Sequence, residues 1–166
     1  MDTVLKLHRM WLSNPSEGRE ADLRGAPLNG ETFTETDLSR LVAAGASLHE
    51  SRFYDADLSG SDFSGAEFYH ARLHHSSLTK MKATDASFIG ARIDHCDFSG
   101  ADLAGSNFWR AEVVQSTFRN ADLQNCDLRE VRMRGVDLRG ANLRGSVGLT
   151  SEQIAEAIID DATVLP

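Results

Sequence analysis

The sequence has only two cysteines, Cys96 and Cys126, and no long apolar run. Two thiols are too few for the disulfide framework of a small secreted domain, and a reducing cytoplasm is the expected compartment. Residues 1–20 contain Asp2, Glu17 and Glu20 but no apolar stretch, so neither a secretory leader nor a membrane span is expected. No nucleophile elbow, phosphate loop, Walker lysine or G-x-G-x-x-G is present, and no Cys/His set has metal-ligand spacing. Also missing is any hydrophobic period of 3.6 or 2.0, which excludes ordinary amphipathic helices and strands through most of the chain.

What the chain has instead is a period of five. From Ala21 to Ser146, 25 consecutive units share one phase, with centres at 23, 28, 33 and onward to 143. Of these centres, 23 are Leu, Phe, Ile, Val or Met, and the other two are Ala43 and Ala83. All eight Phe are centres, and Phe63, Phe68, Phe88, Phe98, Phe108 and Phe118 are the expected structural core. Eleven of the 13 Gly lie two residues after a centre, where a turn of unusual backbone angles is expected. Two residues before a centre the side chain is usually Ala, Ser, Cys or Thr. Leu41 and Met81 break that rule, and each is followed by an Ala centre, a large-for-small exchange that conserves core volume.

A chain that turns a corner every five residues can aim each centre at one axis. Four faces then make a coil of twenty residues, with residue i stacked on i+20 and backbone pairing between coils about 4.8 Å apart. The expected fold is an all-β solenoid, a quadrilateral parallel β-helix of about six coils with short N- and C-terminal capping helices. Three segments follow: 1–20, a capping helix and turn; 21–146, the β-helix; 147–166, a C-terminal capping helix and tail. In this geometry Cys96 and Cys126 fall on opposite faces and different coils, too far apart to bridge.

The units Ala21-Asp-Leu-Arg-Gly25, Ser61-Asp-Phe-Ser-Gly65, Ala101-Asp-Leu-Ala-Gly105 and Ala141-Asn-Leu-Arg-Gly145 resemble the A-(D/N)-L-x-x unit of the pentapeptide-repeat family. The resemblance covers about three quarters of the chain and implies a right-handed quadrilateral β-helix. It extends to the ends: Leu7-His8 with Trp11-Leu12 and Gly18 is similar to a segment that precedes the repeats in many bacterial members. Leu149-Thr150 with Glu152-Gln153 and Leu165-Pro166 resembles a recurrent family ending. Residues 2–13 read as an amphipathic helix offering Val4, Leu5, Leu7, Trp11 and Leu12 to the first coil. Thr150-Ser-Glu-Gln153 reads as a capping box opening a helix with Ile154, Ala155, Ala157, Ile158 and Ile159. That helix is expected to close the last coil, with dimerisation through the same end as the functional alternative, so monomer and homodimer both stand.

Net charge is −8, unevenly spread. Residues 21–118 carry 14 acids and 8 bases, residues 119–146 carry 4 acids and 6 bases, and residues 147–166 carry four acids and no base. Sorted by face, Asp37, Asp57, Asp97 and Asp137 form one row and Asp22, Asp62, Asp102 and Asp122 the next. Arg52, Arg72, Arg92 and Arg132 share a third face, interrupted by Glu112. His49, Tyr69, Ile89 and Trp109 follow the centres of the remaining face and form a candidate contact strip for a protein partner.

Two functions of different class follow. The first is a non-enzymatic protein-interaction module whose faces bind a protein partner. The second comes from the resemblance: some family members are thought to imitate DNA with rows of carboxylates, occupy the DNA saddle of type II topoisomerases and protect them from poisons. That makes DNA gyrase a candidate partner, with antibiotic resistance or self-immunity as the consequence. The quinolone-resistance members carry loops that interrupt the register, and this chain has none. Direct nucleic-acid binding is disfavoured by the net acidity, and no membrane partner is expected. A convex rod has neither a pocket nor buried carboxylates, so no catalytic residue and no cofactor are assigned. His75 and His95 lie one coil apart near Asp55 and Asp94, yet without a ligand motif no metal is assigned.

Overall fold

The computed structural model describes residues 2–166, and Met1 lies outside the described residues. The chain begins with helix α1 (Asp2–Ser13) and ends with helix α2 (Ser151–Glu156). Between them lie six three-residue strands: β1 (Thr32–Thr34), β2 (Arg52–Tyr54), β3 (Arg72–His74), β4 (Arg92–Asp94), β5 (Glu112–Val114) and β6 (Arg132–Arg134). They form one parallel sheet in chain order, each residue paired with the one twenty further on, as Phe33 with Phe53. Three further rows of parallel bridges keep the same offset: Asp37 with Asp57, Val42 with Asp62, and Ser47 with Glu67. The rod therefore has four sides, and five turns carry it from β1 to β6. The sides are the strand face, the second face (centres Leu38 to Leu138), the third (Leu23 to Leu143) and the fourth (Leu28 to Leu128).

The interior is a pile of centres. Phe68, Phe88 and Phe108 stack with centroids 4.8 and 4.7 Å apart and ring planes within 6°. Phe98 and Phe118 stack at 4.7 Å, and all six expected core Phe are buried. Leu41, Ala43, Met81 and Ala83 are buried together with them. Ser51, Ser61, Ser76, Ser106 and Ser116, at inward small positions, return their hydroxyls to the backbone, as Ser51 Oγ donates to Leu48 O at 2.7 Å, so polarity there costs little. Two larger residues at small positions, Val131 and Val136, fall in the last coil. Beside them Met133 is only partly buried, and an apolar void of about 20 Å³ remains.

Two residues past each centre the backbone is left-handed in all 25 units. The eleven Gly there share the conformation with fourteen other residues, among them Glu50 (φ 57°), Lys80 (φ 55°) and His95 (φ 52°). Each such residue stores of order 1 kcal/mol of strain. In all fourteen but Glu130 the N–H bonds a carbonyl of the next coil, as Lys80 N–H to Ser99 O at 2.9 Å.

The ends are closed by different means. Helix α1 buries Leu5 and His8, while Val4 and Leu7, expected to cover the first coil, are exposed. His8 explains the difference. Its Nδ1 accepts the Ala21 N–H at 3.1 Å and its Nε2–H donates to Ser39 O at 2.9 Å, satisfying backbone groups at the open edge. Arg40 lies over the Trp11 ring at 4.7 Å, and Gly18 lets the turn pass so closely that a Cβ would come within 2.0 Å of Trp11 N.

At the other end the capping box of Thr150 and Gln153 is present, but α2 stops at Glu156. Ile158 and Ile159, expected in that helix, lie beyond it. Ile158 pairs with Asp137 and Val164 with Asn142, so the tail continues the coil. Leu138 N–H reaches Ile158 O at 2.8 Å, Leu143 N–H reaches Val164 O at 2.7 Å, and Gly140 N–H reaches the Asp160 carboxylate at 2.9 Å. A last coil with unpaired donors gains more from an added strand than from another helical turn.

Two predictions follow from this architecture. Gly100→Ala is expected to lower stability by about 1 kcal/mol, whereas Lys80→Gly, in the same left-handed corner, leaves it unchanged or slightly raised; urea unfolding of both variants checks this. The Gly140 N–H holds the Asp160 carboxyl below its ordinary value of 3.8. A depressed pKa contributes stability that is complete above the unfolded value, about 4, and lost as pH falls through the lower folded value. Hydrogen-exchange protection at Gly140 should therefore fall on acidification below pH ~4, and the Asp160→Ala variant should lack that pH dependence.

Candidate protein-interaction faces

The fourth face carries His49, Tyr69, Ile89 and Trp109 on successive coils, each half-buried against the rod. The row is held from both sides. His49 Nε2 lies 2.8 Å from Glu67, and its ring meets Tyr69 edge-on at 5.0 Å. The Arg110 guanidinium covers Trp109 at 4.3 Å, and Glu130 accepts both Trp109 Nε1–H at 3.2 Å and Arg110 Nε–H at 2.7 Å. Those two donors, Arg110 first, hold the Glu130 carboxyl below the usual range. Beside Ile89 the corner residue is Gly90, and a Cβ there would meet the His70 ring at 2.5 Å, so the ring occupies the space over this glycine. Immobilised aromatic groups of this kind lose little entropy on contact with a partner. The clamp on Trp109 is not apparent from the pentapeptide alone, although Arg110 and Glu130 stand twenty residues apart in one corner row.

The two rows of aspartates have a backbone role. One oxygen of each accepts the N–H two residues on: Ser39 for Asp37, Ser59 for Asp57, Ser99 for Asp97 and Arg139 for Asp137. On the third face the donors are Arg24 for Asp22, Ser64 for Asp62, Ala104 for Asp102 and Gln124 for Asp122. Charge at several of these positions is also neutralised. Arg24 pairs with Asp22 and, by its side-chain bond, brings that carboxyl down to about 2. Lys82 lies 4.0 Å from Asp62. Asp137, expected on an outward row, is 8% exposed and pairs with both Arg119 and Arg139. Among the described residues Asp37, Asp57, Asp97, Asp102 and Asp122 have no cationic partner.

On the strand face Arg52, Arg72 and Arg92 are paired in register through β2, β3 and β4. Beside them His75 and His95 stack at 4.7 Å, and Asp94 accepts from His95 Nδ1 at 2.8 Å and lies 3.2 Å from His74 Nε2. Among the described residues no group of three His, Cys, Asp or Glu is placed to hold a metal ion. Cys96 and Cys126 are free and buried, and burial pushes both thiols up to about 12, so neither is a ready nucleophile. No described helix is long and apolar enough to cross a membrane.

A four-sided parallel coil with a five-residue unit defines a repeat solenoid, in which each coil packs on its neighbours and recurring residues form rows on the surface. The family model for the pentapeptide repeat region matches residues 58–125, and that for pentapeptide repeats (8 copies) matches residues 19–53 and 114–145. The chain belongs to the pentapeptide-repeat family. No curated protein matches it significantly. Similar solved structures include HetL, a pentapeptide repeat protein involved in heterocyst differentiation regulation from the cyanobacterium Nostoc sp. strain PCC 7120. HetL is 21% identical over 92% of this chain and 75% of its own, with a TM-score of 0.36. Full-length QnrB1, a plasmid-mediated fluoroquinolone resistance protein, is 18% identical over 86% of this chain and 90% of its own, with a TM-score of 0.35. The pentapeptide repeat protein alr5209 from Nostoc PCC 7120 is 18% identical over 93% of each chain, with a TM-score of 0.44. None of these values carries a partner or an activity across to this chain.

The acid rows generate a prediction of unequal cost. Asp137→Ala removes the partner of two arginines and of a turn N–H and is expected to destabilise by about 2–3 kcal/mol, against about 1 kcal/mol for Asp57→Ala. Urea unfolding of the two variants compares them.

Proposed function

We propose that this protein is a non-enzymatic interaction module that binds a protein partner along its fourth face. The observation that carries the reading is the in-line row His49, Tyr69, Ile89, Trp109 on a rod otherwise coated with Ser, Asp and Arg. Tyr and Trp on a rigid support are the residue types that dominate interface energies. The clamp of Arg110 and Glu130 keeps Trp109 in one orientation without burying it. Asp37, Asp57 and Asp97, uncompensated on the second face, favour a second reading in which DNA gyrase is the partner and the carboxylate row stands in for phosphates.

One experiment separates the two. Partner capture from cell extract should be weakened ~10-fold or more by Tyr69→Ala or Trp109→Ala, and gyrase supercoiling and poison-induced cleavage should be unaffected by the protein. Capture unchanged in both variants overturns the first reading. A gyrase effect that is abolished when Asp57 and Asp97 are reversed to Lys establishes the second.

A further inference from the structure

The fourth face and the strand face meet at a corner, and two rows run along that edge. Two residues separate three members of the aromatic row from an arginine, His49 from Arg52, Tyr69 from Arg72 and Ile89 from Arg92, while the fourth, Trp109, stands beside Glu112. Only one corner position lies between the rows on the surface, occupied by Glu50, His70, Gly90 and Arg110, because Ser51, Ala71 and Ala91 point inward and are buried. Apolar and cationic groups are thus repeated side by side at the coil spacing, about 4.8 Å.

Arg52, Arg72 and Arg92 lack the close ion pair that five other arginines make. Arg24, Arg110, Arg119, Arg129 and Arg139 all hold a carboxylate at 2.5 to 2.7 Å. Among the described residues Arg52 and Arg72 have no ion-pair partner, and Arg92 has only Glu112 at 4.0 Å. Three like charges on adjacent strands repel one another, and in a chain of net charge −8 carboxylates are plentiful. The carboxylates nearest the edge are engaged: Glu67 with His49, Glu130 with Arg110, and Asp94 with His74 and His95. Glu50 in the corner row is the exception.

We infer that the partner of the fourth face is an acidic amphipathic helix whose apolar stripe lies on Tyr69, Ile89 and Trp109 and whose carboxylates reach Arg72 and Arg92. This rests on the reading of the fourth face as a protein-binding surface and adds the chemistry of what binds. A helix repeats its stripe every ~5.4 Å, close enough to the coil spacing that two turns remain in step with three coils. Its flanking carboxylates, one row aside, then supply the counter-charge that the rod itself does not.

The test is selection of random displayed peptides of roughly 16 residues, long enough for ~24 Å of helix, on the immobilised protein. Selected peptides are then measured against Trp109→Ala and against Arg72→Glu with Arg92→Glu. Both arginines are exposed, and their substitution is expected to leave thermal unfolding in place. Expected is a consensus of apolar residues at helical spacing flanked by Asp or Glu, with binding lowered at least ~10-fold by the charge reversal and weakened by added salt. Peptides lost on Trp109→Ala but indifferent to the charge reversal overturn the acidic partner while leaving the fourth face as a binding surface. Peptides indifferent to both changes, or no selected peptides, overturn the inference. Tighter binding of an oligothymidine of about 12 nucleotides than of any peptide assigns the edge to single-stranded nucleic acid and overturns it as well.

Discussion

The backbone ladder between coils governs this molecule. A tube this narrow has no room inside for water or for unpaired amides, so most N–H groups find a carbonyl one coil away and the rest are satisfied within the turn. That demand imposes the twenty-residue offset seen on every side, from Asp22 with Val42 to Asp127 with Val147. Once the offset is set, like stacks on like. The Phe68, Phe88 and Phe108 rings pile up in parallel because their backbones are already paired at that spacing.

The same ladder accounts for features that look costly in isolation. Fourteen residues other than glycine adopt the left-handed conformation. Alone each would relax, but in the coil that turn aims the next centre inward and its N–H at the next coil. Most of the aspartates before centres are tied down locally, because a carboxylate there accepts the turn amide two residues on. At both ends the ladder runs out, and the solutions are chemical rather than merely apolar. A histidine accepts and donates at the N-terminal edge, and a carboxylate with an added strand completes the C-terminal one.

A rod built this way turns its repeats into surface rows. Any residue type recurring at intervals of twenty becomes a stripe, whether aromatic, acidic or cationic. What distinguishes the stripes is how far the rod neutralises them itself. Asp22 and Asp137 are held by arginine, while Arg52 and Arg72 are left without partners beside an aromatic row fastened in place. An unbalanced stripe costs free energy in the isolated molecule and is where an external group gains most.

Much of the architecture was legible because the five-residue phase is also the spatial repeat: centres, small positions, corners and faces could all be placed by counting. The exchange of Leu41 with Ala43 and of Met81 with Ala83 could be seen the same way. The ends could not, since no repeat constrains them. Leu5 and His8 rather than Val4 and Leu7 face the first coil because the edge amide of Ala21 and carbonyl of Ser39 needed polar partners. Ile158 left the helix for the same reason. The pairing of Trp109 with Glu130 and the burial of Asp137 were also beyond reach, being set by side-chain rotamers across coils. By itself, then, the sequence determined the coil, its core and the membership of each row, because hydrophobic phase dictates which residues face inward. Only the tertiary structure decided how the coil is closed and which charges stay free, because both depend on where unpaired groups meet in space.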